Sequence, residues 1–156
     1  MLEIAIIAVV IILASRFALT SSGEDAGAES APLPSSLGGI LKLSAAEIAT
    51  YAKRAGFSGD DLAIAISVAI AESSGNPVAY NPETAAHTPE GQGSFGLWQI
   101  YVKVHPEFSG QDLYDPQTNA NAAFQIYSQA GRTFKPWSTF KNNAYLAYLD
   151  EATAYA

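Results

Sequence analysis

Hydrophobic and polar positions divide the chain into a long apolar run, a polar stretch and a larger region of mixed patterning. Leu2 to Leu19 is apolar apart from Glu3, Ser15 and Arg16, and the run from Ile4 to Ala14 is unbroken. As a helix this segment would be about 27 Å long at 1.5 Å per residue, enough for a bilayer core, with Arg16 able to snorkel to the interface. Residues 1–19 therefore read as a membrane-anchor helix. A cleaved secretory signal is the competing reading. Against it, the only side-chain charge before the run is Glu3, and the Ala26-Gly27-Ala28 that could serve as a cleavage site lies far beyond it. A helix buried in a larger assembly is a third reading. Arg16 mildly favours a cytoplasmic-type location for the residues C-terminal to it. Residues 20–39, rich in Ser, Gly, Ala, Pro and acids, have little to bury and read as a flexible tether stiffened by Pro32 and Pro34.

Residues 40–156 carry the patterning of a folded, mainly α domain. Ser44-Ala45-Ala46-Glu47 is a capping box opening a helix that Gly56 can close, with Leu43, Ile48, Tyr51 and Ala52 as its apolar stripe. Ser58-Gly59-Asp60-Asp61 starts a second helix, Leu62 to about Ser73, that is apolar nearly all round. It is too short to span a membrane, so it is expected at the centre of the domain. Gly75 to Ser94 is full of breakers and reads as irregular chain or short hairpin of the kind that lines a cleft. Phe95 to Tyr101 follows, then a turn around His105-Pro106. Asp115-Pro116 caps a helix running to about Ala130 and stopping at Gly131. Phe134 to Trp137 is a turn, and Asn143 to Tyr155 is expected as a last helix with Tyr145, Tyr148 and Leu149 on one face.

Charge and composition narrow the chemistry. The chain holds 8 Lys and Arg against 15 Asp and Glu, a formal charge of -7. The acid surplus runs through both parts, four acids to one base in residues 1–39 and eleven to seven in residues 40–156. No basic face points to nucleic acid. With no cysteine, disulfides, thiolate metal sites and a Cys nucleophile are excluded. His87 and His105 lack companion ligands for a metal site, and no nucleophile elbow accompanies the serines. Glu72 is the notable carboxylate, at the end of the apolar helix. Burial and the negative end of the helix dipole both disfavour its charged form there, as a general acid requires. A helix end simply facing water is the plainer alternative.

Two ordered segments then carry a family resemblance. Glu72-Ser73 ends the buried helix, and Gly96-Leu97-Trp98-Gln99-Ile100 follows the breaker-rich stretch. With Asn76-Pro77, Ala79-Tyr80-Asn81 and the Asp115-Pro116…Asn119 helix start, this resembles the lysozyme-like lytic transglycosylase superfamily, from about Leu43 to Phe140. His105-Pro106 and Pro136-Trp137-Ser138-Thr139-Phe140 make it look most like phage-encoded members.

The resemblance implies a mainly α fold with a small irregular or β loop region, and cleavage of the β-1,4 bond between N-acetylmuramic acid and N-acetylglucosamine. It implies that Glu72 is the catalytic acid/base. Glu90 falls where goose-type lysozymes have a second carboxylate, while the further acid those enzymes have after the Gln is replaced here by Tyr101. Gln99 and the backbone from Ser94 to Gly96 match the motif lining the sugar cleft, with bonding of loop backbone as the alternative for the Gln99 amide. Tyr80 and Asn81 match the motif beside the acid, and His105 a cleft histidine. Ser73 is expected to hold the glutamate or its loop. Trp98, Tyr127 and Trp137 are candidates for stacking on sugar, against a core role for each. No cofactor or metal is expected. The expected partners are peptidoglycan glycan strands, membrane lipid through residues 2–19, and other virion or envelope-complex proteins.

Overall fold

A computed structural model describes residues 42–82 and 92–156. The expected anchor (1–19), the tether (20–39) and residues 83–91, which include His87 and Glu90, lie outside the described residues. Among the described residues no helix is long and apolar enough to cross a membrane.

The first helix, α1 (Ala45–Ala55), closes its capping box as the sequence requires. Glu47 N–H donates to Ser44 Oγ at 3.3 Å and Ser44 N–H donates to Glu47 Oε2 at 2.8 Å. Ser44 Oγ–H also donates to Glu47 Oε2, at 2.7 Å, and the two Ser44 donors on that oxygen hold the Glu47 carboxyl below its usual range, the backbone bond contributing most. Gly56, at φ +117°, ends the helix. Ala45, Ile48, Ala49 and Ala52 form the buried face.

Helix α2 (Gly59–Ser73) takes Asp60 and Asp61 in its first turn, where the dipole favours them. From Leu62 to Ala69 every residue but Ile64 is buried, including Ser67, whose hydroxyl is satisfied by donating to Ala63 O at 2.7 Å. The helix stops at Ser74, left-handed at φ +54°. The chain then passes under the start of the domain, where Leu43 N–H donates to Gly75 O at 2.8 Å.

The breaker-rich region supplies three two-residue strands, β1 (Tyr80–Asn81), β2 (Ser94–Phe95) and β3 (Ile100–Tyr101). They form an antiparallel sheet in sequential order, with Tyr80 opposite Phe95 and Phe95 opposite Ile100. A 3-10 turn (Pro106–Phe108) leads towards α3 (Pro116–Gln129). Asp115 caps α3 by accepting from Thr118 N–H at 2.8 Å, with Pro116 in the first turn. Two short helices, α4 (Ser138–Lys141) and α5 (Leu149–Thr153), flank a 3-10 segment (Ala144–Tyr148). The single helix expected from Asn143 to Tyr155 is thus split. Asn143 sits in the left-handed region at φ +63°, and Tyr145 stacks on Phe140 with centroids 4.9 Å apart.

Helix α2 is central, with α1, α4 and α5 packed against it and α3 against α1. Between them lies an aromatic core in which Phe57 meets Phe124, Tyr127 and Phe134 at 5.0, 5.2 and 5.8 Å. Burying each such ring or aliphatic side chain contributes on the order of 1.5–3 kcal/mol.

Candidate active site

Glu72 occupies the last turn of α2 and is half-buried. Its Oε1 accepts from the Thr139 hydroxyl at 2.7 Å, and the Thr139 backbone N–H points at the same atom at 3.4 Å. A hydroxyl-to-carboxylate bond of this length is charge-assisted and orients the side chain strongly.

Two buried indoles hold Thr139 there. Trp98 Nε1–H donates to Ala65 O, inside α2, at 3.0 Å. Trp137 Nε1–H donates in turn to Trp98 O at 2.8 Å. Trp137 is the residue before α4, so this ladder, rooted in α2, sets where α4 begins and where Thr139 points.

The Gly96–Gln99 loop is tied down separately. Gly96 N–H donates to Ala79 O at 2.8 Å, and Gln99 Nε2 donates to Ala79 O at 3.2 Å and to Gly96 O at 2.9 Å. These bonds hold Gln99 in the left-handed region at φ +46°. The amide nitrogen of Gln99 is therefore occupied by loop backbone, the alternative that the sequence left open. Asn119, fully buried on α3, fixes the same loop from beneath. Its Nδ2 donates to Phe95 O at 2.8 Å and Leu113 O at 3.0 Å, while its Oδ1 accepts from Trp98 N–H at 2.9 Å. Gly96, at φ +73°, is glycine for this reason, because a Cβ would collide with Asn119 Nδ2 and Leu113 O.

The remaining sequence candidates divide. Tyr80 and Asn81 are exposed on β1, and the Tyr80 ring packs on Phe95. His105 is half-buried, with Nδ1 3.4 Å from Glu107 Oε1, and lines a cavity of about 60 Å³ with Gln99, Tyr101, Pro136 and Trp137. Ser94 and Gly96 are buried in the sheet and its following loop.

Four expectations need correction. The Ser73 hydroxyl donates back to Ala69 O at 2.9 Å, within its own helix, instead of holding the glutamate or its loop. Trp98 is completely buried and has no face for a sugar. Trp137 is 6% exposed, its indole spent on the ladder, so it contributes a wall and no stacking surface. Tyr127 is also buried and lies elsewhere. Its hydroxyl donates in a very short hydrogen bond to Asp61, in the first turn of α2, about 16 Å from Glu72 along the helix at 1.5 Å per residue. Arg132 stacks over its ring at 5.5 Å and reaches Asp61 at 3.5 Å. Burial, then the Asp61 bond, pushes the Tyr127 phenol above its ordinary value.

Thr139 and Asn119 are the contributors that sequence reasoning did not single out. Each stood in a segment already noticed, Pro136 to Phe140 and the Asp115-Pro116 helix start. The signal was a polar residue at an inward position, which only the packing makes visible. Among the described residues no group of three or more His, Cys, Asp or Glu is arranged to hold a metal ion.

Comparison with known sequences fits this arrangement. Residues 49–139, running from α1 to Thr139 itself, match the profile of a family described as lysozyme like domain. The chain belongs to that lysozyme-like family. No curated protein and no solved structure matches it. Lysozyme-like domains are generally glycosidases and lytic transglycosylases acting on peptidoglycan. The mainly α architecture with a small sheet region is that of a lysozyme-like domain, as the sequence predicted.

Proposed function

We propose that this lysozyme-like domain is a peptidoglycan lytic transglycosylase cleaving the β-1,4 bond between N-acetylmuramic acid and N-acetylglucosamine, with Glu72 as its acid/base. The observation that carries the reading is the Glu72–Thr139 pair. A half-buried carboxyl at the end of the central helix is oriented by the Thr139 hydroxyl and N–H, and we assign Oε2 as the oxygen that moves the proton.

In the first step the Oε2 proton passes to the glycosidic oxygen, the C1–O bond breaks, and an oxocarbenium-like centre develops at muramic acid C1. The carboxylate then accepts the proton of the muramic acid C6 hydroxyl as that oxygen bonds to C1. This restores the neutral acid and leaves a 1,6-anhydro end. One group serves both steps, so no second carboxylate is needed. Hydrolysis assisted by Glu90 is the variant of this reading that product analysis separates from it.

Leu2 to Leu19 as an anchor, in a membrane or a phage virion, accounts for the charge. A domain in a chain of net charge -7 is repelled by an anionic wall, and tethering replaces diffusional capture with high effective concentration. The enzyme would then open the wall locally, alone or with other virion or envelope proteins. A mature protein lacking Met1 to Leu19 would overturn the anchor.

Glu72→Gln keeps the shape and removes the transferable proton. Release of muropeptides from purified sacculi should fall by about 10²–10⁴-fold. Unchanged release would refute the assignment and point to a wall-binding role or another acid. Mass spectrometry should find anhydro ends in the wild-type products. Reducing ends alone would mean hydrolysis.

A further inference from the structure

Two tyrosines stand out from the surface beside the sheet, Tyr80 at 42% and Tyr114 at 39% exposure. They are joined through Phe95, which lies 5.0 Å from the Tyr80 ring and 5.6 Å from that of Tyr114. The result is a continuous strip of three rings. Exposed apolar patches with a polar rim mark interaction sites on soluble domains.

The strip is built. The buried Asn119 amide holds Phe95 O and Leu113 O together, and so sets Phe95 beside the segment that carries Tyr114. Asp112 Oδ1 accepts from Tyr114 N–H at 3.1 Å and fixes the tyrosine backbone. The strip opens into a cavity of about 110 Å³ lined by Phe95, Ser109, Gln111, Asp112 and Tyr114, among others. Apolar ring faces beside a hydroxyl, an amide and a carboxylate suit a pyranose, which presents C–H bonds on one face and hydrogen-bonding groups at its edge. Among the described residues no Lys or Arg lines the cavity, and Asp112 stands at it, so the arrangement favours a neutral sugar over one bearing a carboxylate. The strip adjoins the Gly96–Gln99 loop, because Ala79, the residue before Tyr80, accepts through its carbonyl from Gly96 N–H and Gln99 Nε2.

We propose that Tyr80, Phe95 and Tyr114 form a stacking subsite for an N-acetylglucosamine ring of the glycan strand, separate from the bond that is cut. The proposal rests on the peptidoglycan-cleaving reading and names where the strand is held.

The test measures binding of a linear β-1,4 tetramer of N-acetylglucosamine to the full-length Glu72→Gln protein by calorimetry. Adding Tyr114→Ala should weaken binding about three- to tenfold, the worth of one aromatic stacking contact, and so should Tyr80→Ala. Tyr114→Trp should restore it. With Glu72 intact, Tyr114→Ala should raise KM on sacculi and leave kcat unchanged. Absence of tetramer binding would overturn the subsite, as would a Tyr114→Ala loss that Trp fails to restore. Loss of affinity for a sugar-free stem peptide in place of the tetramer would overturn the glycan assignment. If Glu72→Gln stays active while Tyr114→Ala weakens tetramer binding, the acid assignment falls and the subsite stands. The opposite pattern removes the subsite alone.

Discussion

Replacing Thr139 by Val removes one hydroxyl and keeps the branched shape of the side chain. The bond it deletes runs to Glu72 Oε1 at 2.7 Å, while the Thr139 N–H remains 3.4 Å from the same oxygen. Hydrogen bonds to charged groups are worth about 1.5–3 kcal/mol. Because the backbone donor stays and the site is only half-buried, the lower part of that range applies, about 1.5–2 kcal/mol. If the bond is made fully only in the oriented acid, this corresponds to a fall in kcat of about 10- to 30-fold. The assay is the initial rate of anhydromuropeptide release from sacculi for wild type, Thr139→Val and Thr139→Ser, with thermal unfolding run beside it. Serine should recover most of the rate, since it restores the donor without the methyl. A Thr139→Val rate within about twofold of wild type would refute the positioning role, as would serine and valine variants of equal activity.

Asn119→Ala removes the partner of two carbonyls and one N–H, with the Leu113 O and Trp98 N–H bonds buried and the Phe95 O bond part-buried. At about 1–3 kcal/mol for each unsatisfied group, partly relieved by relaxation, it should destabilise the fold by about 3–5 kcal/mol in urea titrations; a loss under about 1 kcal/mol would mean that the amide holds nothing together. Tyr127→Phe tests the far end of α2. The Tyr127 phenol is raised above its ordinary value of 10.0, so the folded state binds its proton more tightly than the unfolded state does. The stability from this group is complete below pH 10 and is lost as pH rises through the folded pKa. Wild type should therefore lose stability in that alkaline window more steeply than Tyr127→Phe, and identical pH profiles would contradict the Asp61 linkage.

Local signals were legible where the chemistry is local. The Ser44–Glu47 box, the Gly56 stop, the Asp115-Pro116 start and the apolar run that buries α2 each depend on a few adjacent residues, and each formed as written. Glu72 was noticeable because a carboxylate ended that run. What failed was direction. An aromatic in Phe95–Tyr101 or at Trp137 can face a cleft or a core, and local pattern does not decide between them. Trp98 turned inwards because the Ala65 carbonyl accepts its indole and Asn119 takes its amide, partners 33 and 21 positions away. The Thr139–Glu72 contact spans 67 positions, so no window of sequence could have displayed it. The expected last helix failed at Asn143, which takes a left-handed backbone and lies in sequence between Phe140 and Tyr145, whose rings stack.

The donors that Thr139 offers Glu72 are a hydroxyl and a peptide N–H, both electrically neutral. Dissolved ions screen interactions between separated charges, and they act weakly on short bonds of this kind inside a half-buried site. A chain of net charge -7 meeting an anionic polymer is the opposite case, since its long-range repulsion relaxes as salt is added. Ionic strength should then change how often enzyme and wall meet, and leave the rate of bond cleavage after they have met nearly constant.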